Sequence, residues 1–318
     1  MIMTRKIAVI GMGNVGGAVA HQIVATGMVD DLVIIDERTA KSNADALDFA
    51  DAMANLTHHT NVIANDYEAV ADAEIVISAV GKVSLQSATN PDRFAELEYT
   101  STQVKHVARN LKCVGFHGKI ICISNPCDIM TTIYQQITGL PYNHVVGTGT
   151  MLDSARMRRA VGHALDVDPR SVTGYNLGEH GNSQFTAWST VRVLGHPVTE
   201  LVDSKHLDLD AIDEDSRIGG FTVFKGKQYT NYAIAAAATR LARTVLEDAH
   251  TELAVSNWHE EFNSYLSTPV IIGRDGVLAR AEFDLTKEEE NKLAQSAQFI
   301  RQHYAEVDPA NDKVGSEA

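Results

Sequence analysis

Two stretches of this chain carry residue types that could do acid–base chemistry. Leu152-Asp153-Ser154-Ala155-Arg156 sets a carboxylate and a guanidinium three positions apart, on one face of a predicted helix. Leu177-Gly178-Glu179-His180-Gly181-Asn182-Ser183 places a histidine between glycines. Glycine on both sides leaves an imidazole accessible and lets the backbone fold close around it. An imidazole with a carboxylate at one ring nitrogen has a fixed tautomer and a stabilised cation, which suits proton transfer near neutral pH. Taken singly, each residue has a plainer role. Asp153 caps its own helix, Arg156 makes a surface pair, and His180 is as readily a turn histidine as a catalytic one.

The stretch from Lys6 to Asp36 carries a different chemistry. Gly11, Gly13 and Gly16 follow the apolar run Ile7 to Ile10 at GxGxxG spacing, with Met12, Asn14 and Val15 filling the motif. A helical segment comes next. A second apolar run, Leu32 to Ile35, then ends in Asp36, 20 positions after Gly16. Gly11 permits a tight turn, Gly13 lets the backbone approach a pyrophosphate, and Gly16 lets the helix pack close on its strand. The pyrophosphate would sit at the helix N-terminus, where unpaired N–H groups and the dipole favour an anion. Asp36 would accept hydrogen bonds from an adenosine ribose and repel a 2′-phosphate, which favours NAD over NADP. Arg38, two residues on, softens that preference. Glycines alone also serve ordinary turns, but the strand before them and the acid-ending strand after them are the context that marks a dinucleotide site.

The elements that position these residues alternate in the first half. After Asp36 the pattern predicts a helix over 40–54 and a strand over 61–64. A stronger strand follows over 74–80, ending at Gly81. A polar loop over 82–92 leads into a helix that runs to about Lys112. A strand over 119–124 covers Ile123 and leads into Asn125-Pro126. A helix over 128–138 and a strand over 144–147 complete the half. Strand–helix alternation predicts a Rossmann-type, doubly wound parallel sheet with helices on both faces. Ligands in such sheets bind at the carboxyl ends of the strands, where Asp36, Gly81 and Asn125 lie.

The second half reads as an α+β substrate domain. Helices are expected over 151–165, 208–217 and 232–254, and strands over 171–174 and 185–193. Gly273-Arg274-Asp275-Gly276 marks a hairpin turn. The last helix opens on Thr286 and Glu289 at capping-box spacing. The change of pattern sets the boundary between a dinucleotide domain, 1–147, and a catalytic domain, 148–318.

Composition narrows the function classes. The chain has 318 residues, 44 % of them hydrophobic and 21 % charged, ordinary for a globular protein with a sizeable core. With 27 Lys+Arg against 41 Asp+Glu, the net charge of −14 argues against nucleic acid or an anionic membrane as partner. It does not forbid an anionic substrate held by local arginines. Cys113, Cys122 and Cys127 offer neither a disulfide framework nor a zinc spacing, and point to reduced thiols in the cytoplasm. No signal peptide or membrane span is evident. His259-Glu260-Glu261 begins like a zincin, but Asn263 stands where the second His would be, so no metal site is expected. Asp128 most simply favours the N-terminus of its own helix.

Taken together, GMGNVG with Asp36, DRFAEL, ISNPCD, GTGTMLDSARMRRAVG, GYNLGEHGNS and KGKQYTNYA resemble the L-lactate/malate dehydrogenase superfamily. Within it, they resemble the L-2-hydroxyisocaproate dehydrogenases most. The pieces run in the family's order from about Arg5 to the last helix. LDSAR followed by GEHG is far more specific than the glycines. The resemblance implies the fold, NAD as cofactor, a small 2-oxo/2-hydroxy acid substrate and a homo-oligomer, tetramer or dimer. It implies that His180 gives a proton to the substrate carbonyl and that Asp153 orients it. Arg156 resembles the carboxylate anchor, and a planar guanidinium holds a carboxylate bidentately. Arg93 resembles the arginine that swings in to polarise the carbonyl. Asn125 resembles the residue touching both nicotinamide ribose and substrate oxygen, and Thr230 the hydroxyl beside substrate and nicotinamide. Gly81 and Ile123 join Gly11 to Gly16 and Asp36 on the cofactor side.

The chain departs from the family in the loop before Arg93. Lactate and malate members carry a Gln or Arg there that selects the substrate side chain; here the loop reads GKVSLQSATNPDR. Leu85 or Gln86 takes the selecting place, and a Leu favours an apolar side chain. Ala235 to Ala238 on the nearby helix are small and leave room for a bulky group. The expectation is therefore reduction of medium-chain or branched 2-oxo acids, such as 4-methyl-2-oxopentanoate, to L-2-hydroxy acids. A lactate or malate dehydrogenase of the same superfamily is the alternative. From other classes stand an NAD-dependent glycosidase, which would need a metal, and a non-catalytic NAD-sensing module, which would have no use for His180, Asp153, Arg156 and Arg93 together.

Overall fold

Short β-branched runs become strands that are buried on both faces, as a parallel sheet requires. The computed structural model describes residues 4–85 and 93–311. Its first half alternates β1 (Lys6–Ile10), α1 (Asn14–Ala25), β2 (Asp31–Ile35), α2 (Thr39–Ala52), β3 (Asn61–Ala64), β4 (Ile75–Ser78), α3 (Leu97–Cys113), β5 (Lys119–Cys122), α4 (Cys127–Thr138) and β6 (Val145–Gly147). These six strands pair in parallel in the order β6-β5-β4-β1-β2-β3. Alternate residues serve opposite faces. Ile7, Val9, Ile75, Ile77 and Ile121 pack with Val19 and Ile23 of α1. Ala8, Ile10, Val76 and Ile120 pack with Val104 and Ala108 of α3 and with Ile129 and Ile133 of α4.

The second half holds α5 (Met151–Leu165), β7 (Val172–Thr173), β8 (Asn176–Leu177), β9 (Phe185–Thr186), β10 (Arg192–Val193), β11 (His196–Pro197), α6 (Val198–Lys205), α7 (Leu209–Lys227) and α8 (Tyr232–Leu246). It closes with β12 (Thr251–His259), β13 (Ser264–Gly273), β14 (Gly276–Arg280) and α9 (Lys287–Tyr304). The last three strands run antiparallel and extend the central sheet, since Ser256 of β12 pairs with Gly147 of β6. Helix α9 begins with a capping box in which Thr286 and Glu289 satisfy each other's backbone N–H.

Three expectations from the sequence need correction. The alanine-rich helix does not reach Ala254. It ends at Leu246, a turn with Asp248 and His250 at positive φ follows, and Thr251 to His259 is a strand. The alanine run concealed the turn, and pairing with β13 along all nine residues outweighs local propensity. The expected strand over 185–193 is broken by a 3-10 turn at Trp188–Thr190. The helix expected over 208–217 continues to Lys227. Gly219 and Gly220 look like breakers in the sequence but lie inside this helix, and the site below supplies the reason.

His259 closes β12 as a packed residue, with Nδ1 against Glu261 Oε1 at 3.1 Å and Nε2 against Thr268 Oγ1 at 3.0 Å. Burial pushes its pKa down to about 4, more than the Glu261 carboxylate raises it. A histidine whose folded pKa is depressed destabilises the fold as pH drops from its ordinary value of 6.5 through 4. His259→Gln should therefore change thermal stability relative to the parent more favourably at pH 5 than at pH 7, because it removes the charging cost. Parallel melting curves for the two proteins that kept a constant offset between those pH values would refute this.

Candidate active site

The loop after β1 shows why its glycines are where they are. Gly11 has φ +94°, and a Cβ there would lie 2.8 Å from the backbone of Ala79 and Val80. A Cβ on Gly16 would overlap the Gly11 carbonyl oxygen. Gly13 differs: among the described residues, its chain neighbours apart, no atom lies within 4 Å of where its Cβ would be. That open space fits the close backbone approach to a ligand that a dinucleotide site requires. Asn14 and Val15 open α1 directly behind it.

Asp36 stands at the carboxyl end of β2. It accepts the Met12 N–H at 2.7 Å and the Arg38 N–H and Nε–H at 2.9 Å each. Burial pushes its pKa up, but these hydrogen bonds outweigh burial and hold it below the ordinary carboxylate range. The Arg38 guanidinium thus lies on the carboxylate itself. Gly81 follows β4, and the Lys82 N–H donates to Glu96 Oε2 at 2.7 Å. Glu96, 4 % exposed, sits in the 3-10 turn Arg93–Glu96. This buried acid joins the two ends of the segment that separates Leu85 from Arg93, a link the sequence reading missed. Leu85 is exposed, in the 3-10 turn Val83–Leu85. Gln86 and the side chain of Arg93 lie outside the described residues.

At the carboxyl end of β5, Ile123 is buried and Asn125 precedes Pro126 through a cis peptide bond. The side-chain oxygen of Asn125 is buried and has no hydrogen-bond partner among the described residues. A buried amide oxygen left unmatched is costly, so this one fits a residue that meets a ligand hydroxyl. The free acceptor and the bare Gly13 cradle both fit a bound dinucleotide.

The acid–base residues meet as follows. Helix α5 begins at Met151, and its first turns are pinned to β8 by Thr150 Oγ1 on the Asn176 carbonyl (2.5 Å) and by the Asn176 N–H on Ser154 Oγ (2.9 Å). The same β8 leads into Gly178 and His180. His180 Nδ1 lies 2.5 Å from Asp153 Oδ2. A carboxylate only accepts, so the proton is on Nδ1. Arg156 Nη1 donates to Asp153 Oδ1 at 3.1 Å. Asp153 therefore sits between the imidazole and the guanidinium, with 4 % of its surface exposed. The plainer readings, a helix cap and a surface pair, do not describe these residues.

One reading of the glycines is corrected here. His180 is only 8 % exposed, so its glycine neighbours do not serve accessibility. Gly178 has φ +91° and packs on Ser296, and a Cβ on Gly181 would collide with the Glu179 carboxylate folded beneath it. Gly219 and Gly220, in the middle of α7, face Arg159 and Arg156. A Cβ on Gly220 would fall 2.9 Å from Arg156 Cζ. Two mid-helix glycines cost roughly 1 kcal/mol each relative to alanine, so their use points to the room that the Arg156 and Arg159 guanidinium groups need against α7. Ala235 and Ala238 leave no room for a substrate group, for both are buried in the cluster where α8 packs on α1. Thr230 lies half-buried between α7 and α8.

Asp128 lies in the first turn of α4, as the sequence suggested, but it also has partners elsewhere in the chain. It is 1 % exposed. Its Oδ2 accepts the His180 N–H at 2.8 Å, and its Oδ1 accepts the Ser256 hydroxyl at 2.5 Å. Burial raises its pKa to about 7 against the pull of these two donors, with the Glu179 charge adding to the rise. Cys127 beside it is buried, and its hydrogen bond to Cys122, then burial, push its thiol well above the ordinary range. That is an inert thiol rather than a nucleophile. Among the described residues, no group of three or more His, Cys, Asp or Glu is placed to hold a metal ion. Among them, too, no helix is long and apolar enough to cross a membrane.

Comparison with known proteins decides the family. Residues 5–147 match the lactate/malate dehydrogenase NAD binding domain, and residues 150–309 match the lactate/malate dehydrogenase alpha/beta C-terminal domain. The chain belongs to the lactate/malate dehydrogenase family. It is 35 % identical over 309 residues to L-lactate dehydrogenase 3 of Bacillus cereus, covering 94 % of this chain and 97 % of the relative. It is 36 % identical over 307 residues to L-lactate dehydrogenase 1 of Bifidobacterium longum, covering 94 % and 96 %. The lactate dehydrogenase of Cryptosporidium parvum, solved with lactic acid and nicotinamide adenine dinucleotide, superposes with a TM-score of 0.90 at 29 % identity, over 97 % of this chain and 99 % of that one. As a member of this family, the protein is an NAD-dependent oxidoreductase of 2-hydroxy acids, with a Rossmann sheet followed by an α/β domain.

Proposed function

We propose that the enzyme reduces medium-chain or branched 2-oxo acids, 4-methyl-2-oxopentanoate among them, to L-2-hydroxy acids. The single observation that carries the choice of side chain is Leu85, an exposed apolar residue at the start of the substrate loop where an arginine would select a second carboxylate. Gly219 and Gly220 of α7 are covered by the Arg159 and Arg156 guanidinium groups and so support the carboxylate anchor rather than side-chain space. A second reading, pyruvate reduction, is favoured by the names of the 35–36 % identical relatives.

In this reading Gly11, Met12, Gly13, Asn14, Val15 and Gly16 hold the pyrophosphate, Asp36 the adenosine ribose, and Gly81, Ile123 and Asn125 the nicotinamide half. Bound NADH supplies the hydride. Arg156 binds the substrate carboxylate by a bidentate fork. With Nδ1 committed to Asp153, His180 presents Nε2 to the carbonyl and donates its proton there. The Asp153 carboxylate stabilises the imidazolium before transfer and fixes the ring after it. Arg93 brings positive charge to the oxygen as it becomes alkoxide-like, the stage at which such charge lowers a barrier. Thr230 lies beside the substrate.

The test is NADH oxidation across a panel from pyruvate and oxaloacetate to 4-methyl-2-oxopentanoate and phenylpyruvate. The larger apolar acids should have the higher kcat/KM, and oxaloacetate turning over as well as they do would sink the assignment. Leu85→Arg tests the structural cause. It should lower the ratio of kcat/KM for 4-methyl-2-oxopentanoate over oxaloacetate by about tenfold or more, because an arginine there can pair with a second carboxylate but not with an apolar chain. An unchanged ratio would mean that Leu85 does not meet the substrate side chain. The proposal includes a homo-oligomer, supported by large apolar side chains left uncovered on α2 and α8, where Leu47 is 66 % and Tyr232 75 % exposed. Light scattering on the purified chain reads that state directly.

A further inference from the structure

We propose that Asp128 is a positioning residue for the reaction: its buried carboxylate holds the main chain of His180 and so sets where the imidazole meets the substrate. The inference rests on the reading of His180 as the acid–base residue. An acid at the start of α4 needs no burial to interact with the helix dipole. This one is buried and spends both oxygens on distant parts of the chain, the His180 N–H at 2.8 Å and the Ser256 hydroxyl at 2.5 Å. Burying a carboxylate is costly unless it is well hydrogen-bonded, so a purely structural position would more cheaply hold an apolar side chain.

His180 is thereby gripped by two carboxylates on two helices. Asp153 on α5 holds the ring and Asp128 on α4 holds the backbone. From the other side, the Glu179 N–H donates to Ser296 Oγ of α9 at 2.7 Å. Asn125 lies three residues before Asp128, in the turn that opens α4. One short segment therefore carries both the amide that meets the ligand and the anchor for the proton donor. Without Asp128 the buried His180 N–H loses this acceptor, and the loop must move to replace it. A shift of about 1 Å at a reacting group costs on the order of 100-fold in rate.

The experiment compares Asp128→Ala, Asp128→Asn, Ser256→Ala and His180→Asn in the full-length enzyme. It measures kcat and KM for 2-oxo acid reduction, together with the NADH dissociation constant from nucleotide fluorescence. The amide introduced by Asp128→Asn still accepts the His180 N–H through its carbonyl, and the Ser256 hydroxyl can turn to accept from its NH₂ group. The expected result for Asp128→Ala is a fall in kcat of about 100-fold with NADH binding unchanged, and for Asp128→Asn a recovery of most of that loss. Full kcat in Asp128→Ala overturns the proposal, as does an Asp128→Asn enzyme that binds NADH normally yet is as slow as the alanine variant. If the alanine variant does not fold, Ser256→Ala decides: a reduced kcat with normal NADH binding supports the role, and an unchanged kcat refutes it. An active His180→Asn enzyme would bring down the underlying reading of the histidine. A dead one beside a fully active Asp128→Ala enzyme would bring down this inference alone.

Discussion

Replacing His180 with Asn lowers kcat for 2-oxo acid reduction by about 100- to 10,000-fold, the range general acid–base help supplies. The expectation follows from geometry. Nδ1 is committed to Asp153 at 2.5 Å, so Nε2 is the ring nitrogen that can serve the substrate. An amide of similar size can hydrogen-bond to the carbonyl but has no proton to give at neutral pH. NADH affinity should hardly change, because the proposed cofactor residues lie on other loops. Asp153→Asn should reproduce much of the loss by letting the wrong tautomer form. Steady-state kinetics with nucleotide fluorescence as the binding control measures both. A kcat within about twofold of the parent in His180→Asn, far short of that range, would remove the proposed mechanism.

Arg156→Leu has the second large effect. The guanidinium is mostly buried, 17 % exposed at the side chain, and shares Asp153 with the histidine. Removing one partner of a buried, hydrogen-bonded charge pair costs about 2–5 kcal/mol. If the lost partner is the substrate carboxylate, kcat/KM falls by roughly 30- to several-thousand-fold. KM should carry much of this. Arg156→Lys should recover charge but not the planar fork, and so only part of the activity. A competitive, non-reducible monocarboxylate should lose affinity in step with KM. An Arg156→Leu enzyme whose KM and inhibitor affinity match the parent would show that the carboxylate binds elsewhere.

How far the site was legible depended on whether a residue's partner was close in the chain. Gly11, Gly16 and Asp36 could be assigned from spacing because one strand–turn–helix–strand unit holds them all. The glycine pair in α7 could not. In the sequence Gly219 and Gly220 signal a break, and only the guanidinium groups of Arg159 and Arg156 lying against them explain a helix that continues. The alanines of α8 misled for the same reason. Their size is plain in the sequence, but which face of the helix meets α1 and which meets the site is decided by packing. The sequence places Asp128 only at the N-terminus of its own helix, and neither its burial nor that of Glu96 can be read there. Their partners, Lys82, His180 and Ser256, are 14, 52 and 128 residues away.

The amino-acid order by itself determined the local units: the glycine turn and its acid, the alternation that makes a parallel sheet, the capping box of the last helix, and the residue types able to move a proton. These rest on backbone sterics, hydrophobic period and side-chain chemistry over a few neighbouring residues. The tertiary structure alone decided that β12 to β14 complete the sheet, that the Asp153 carboxylate lies 2.5 Å from His180 while holding Arg156, and that a second buried carboxylate grips the histidine loop. Those outcomes depend on distances between segments that only the closed core brings together, and on desolvation, which no residue experiences until its distant neighbours exclude water.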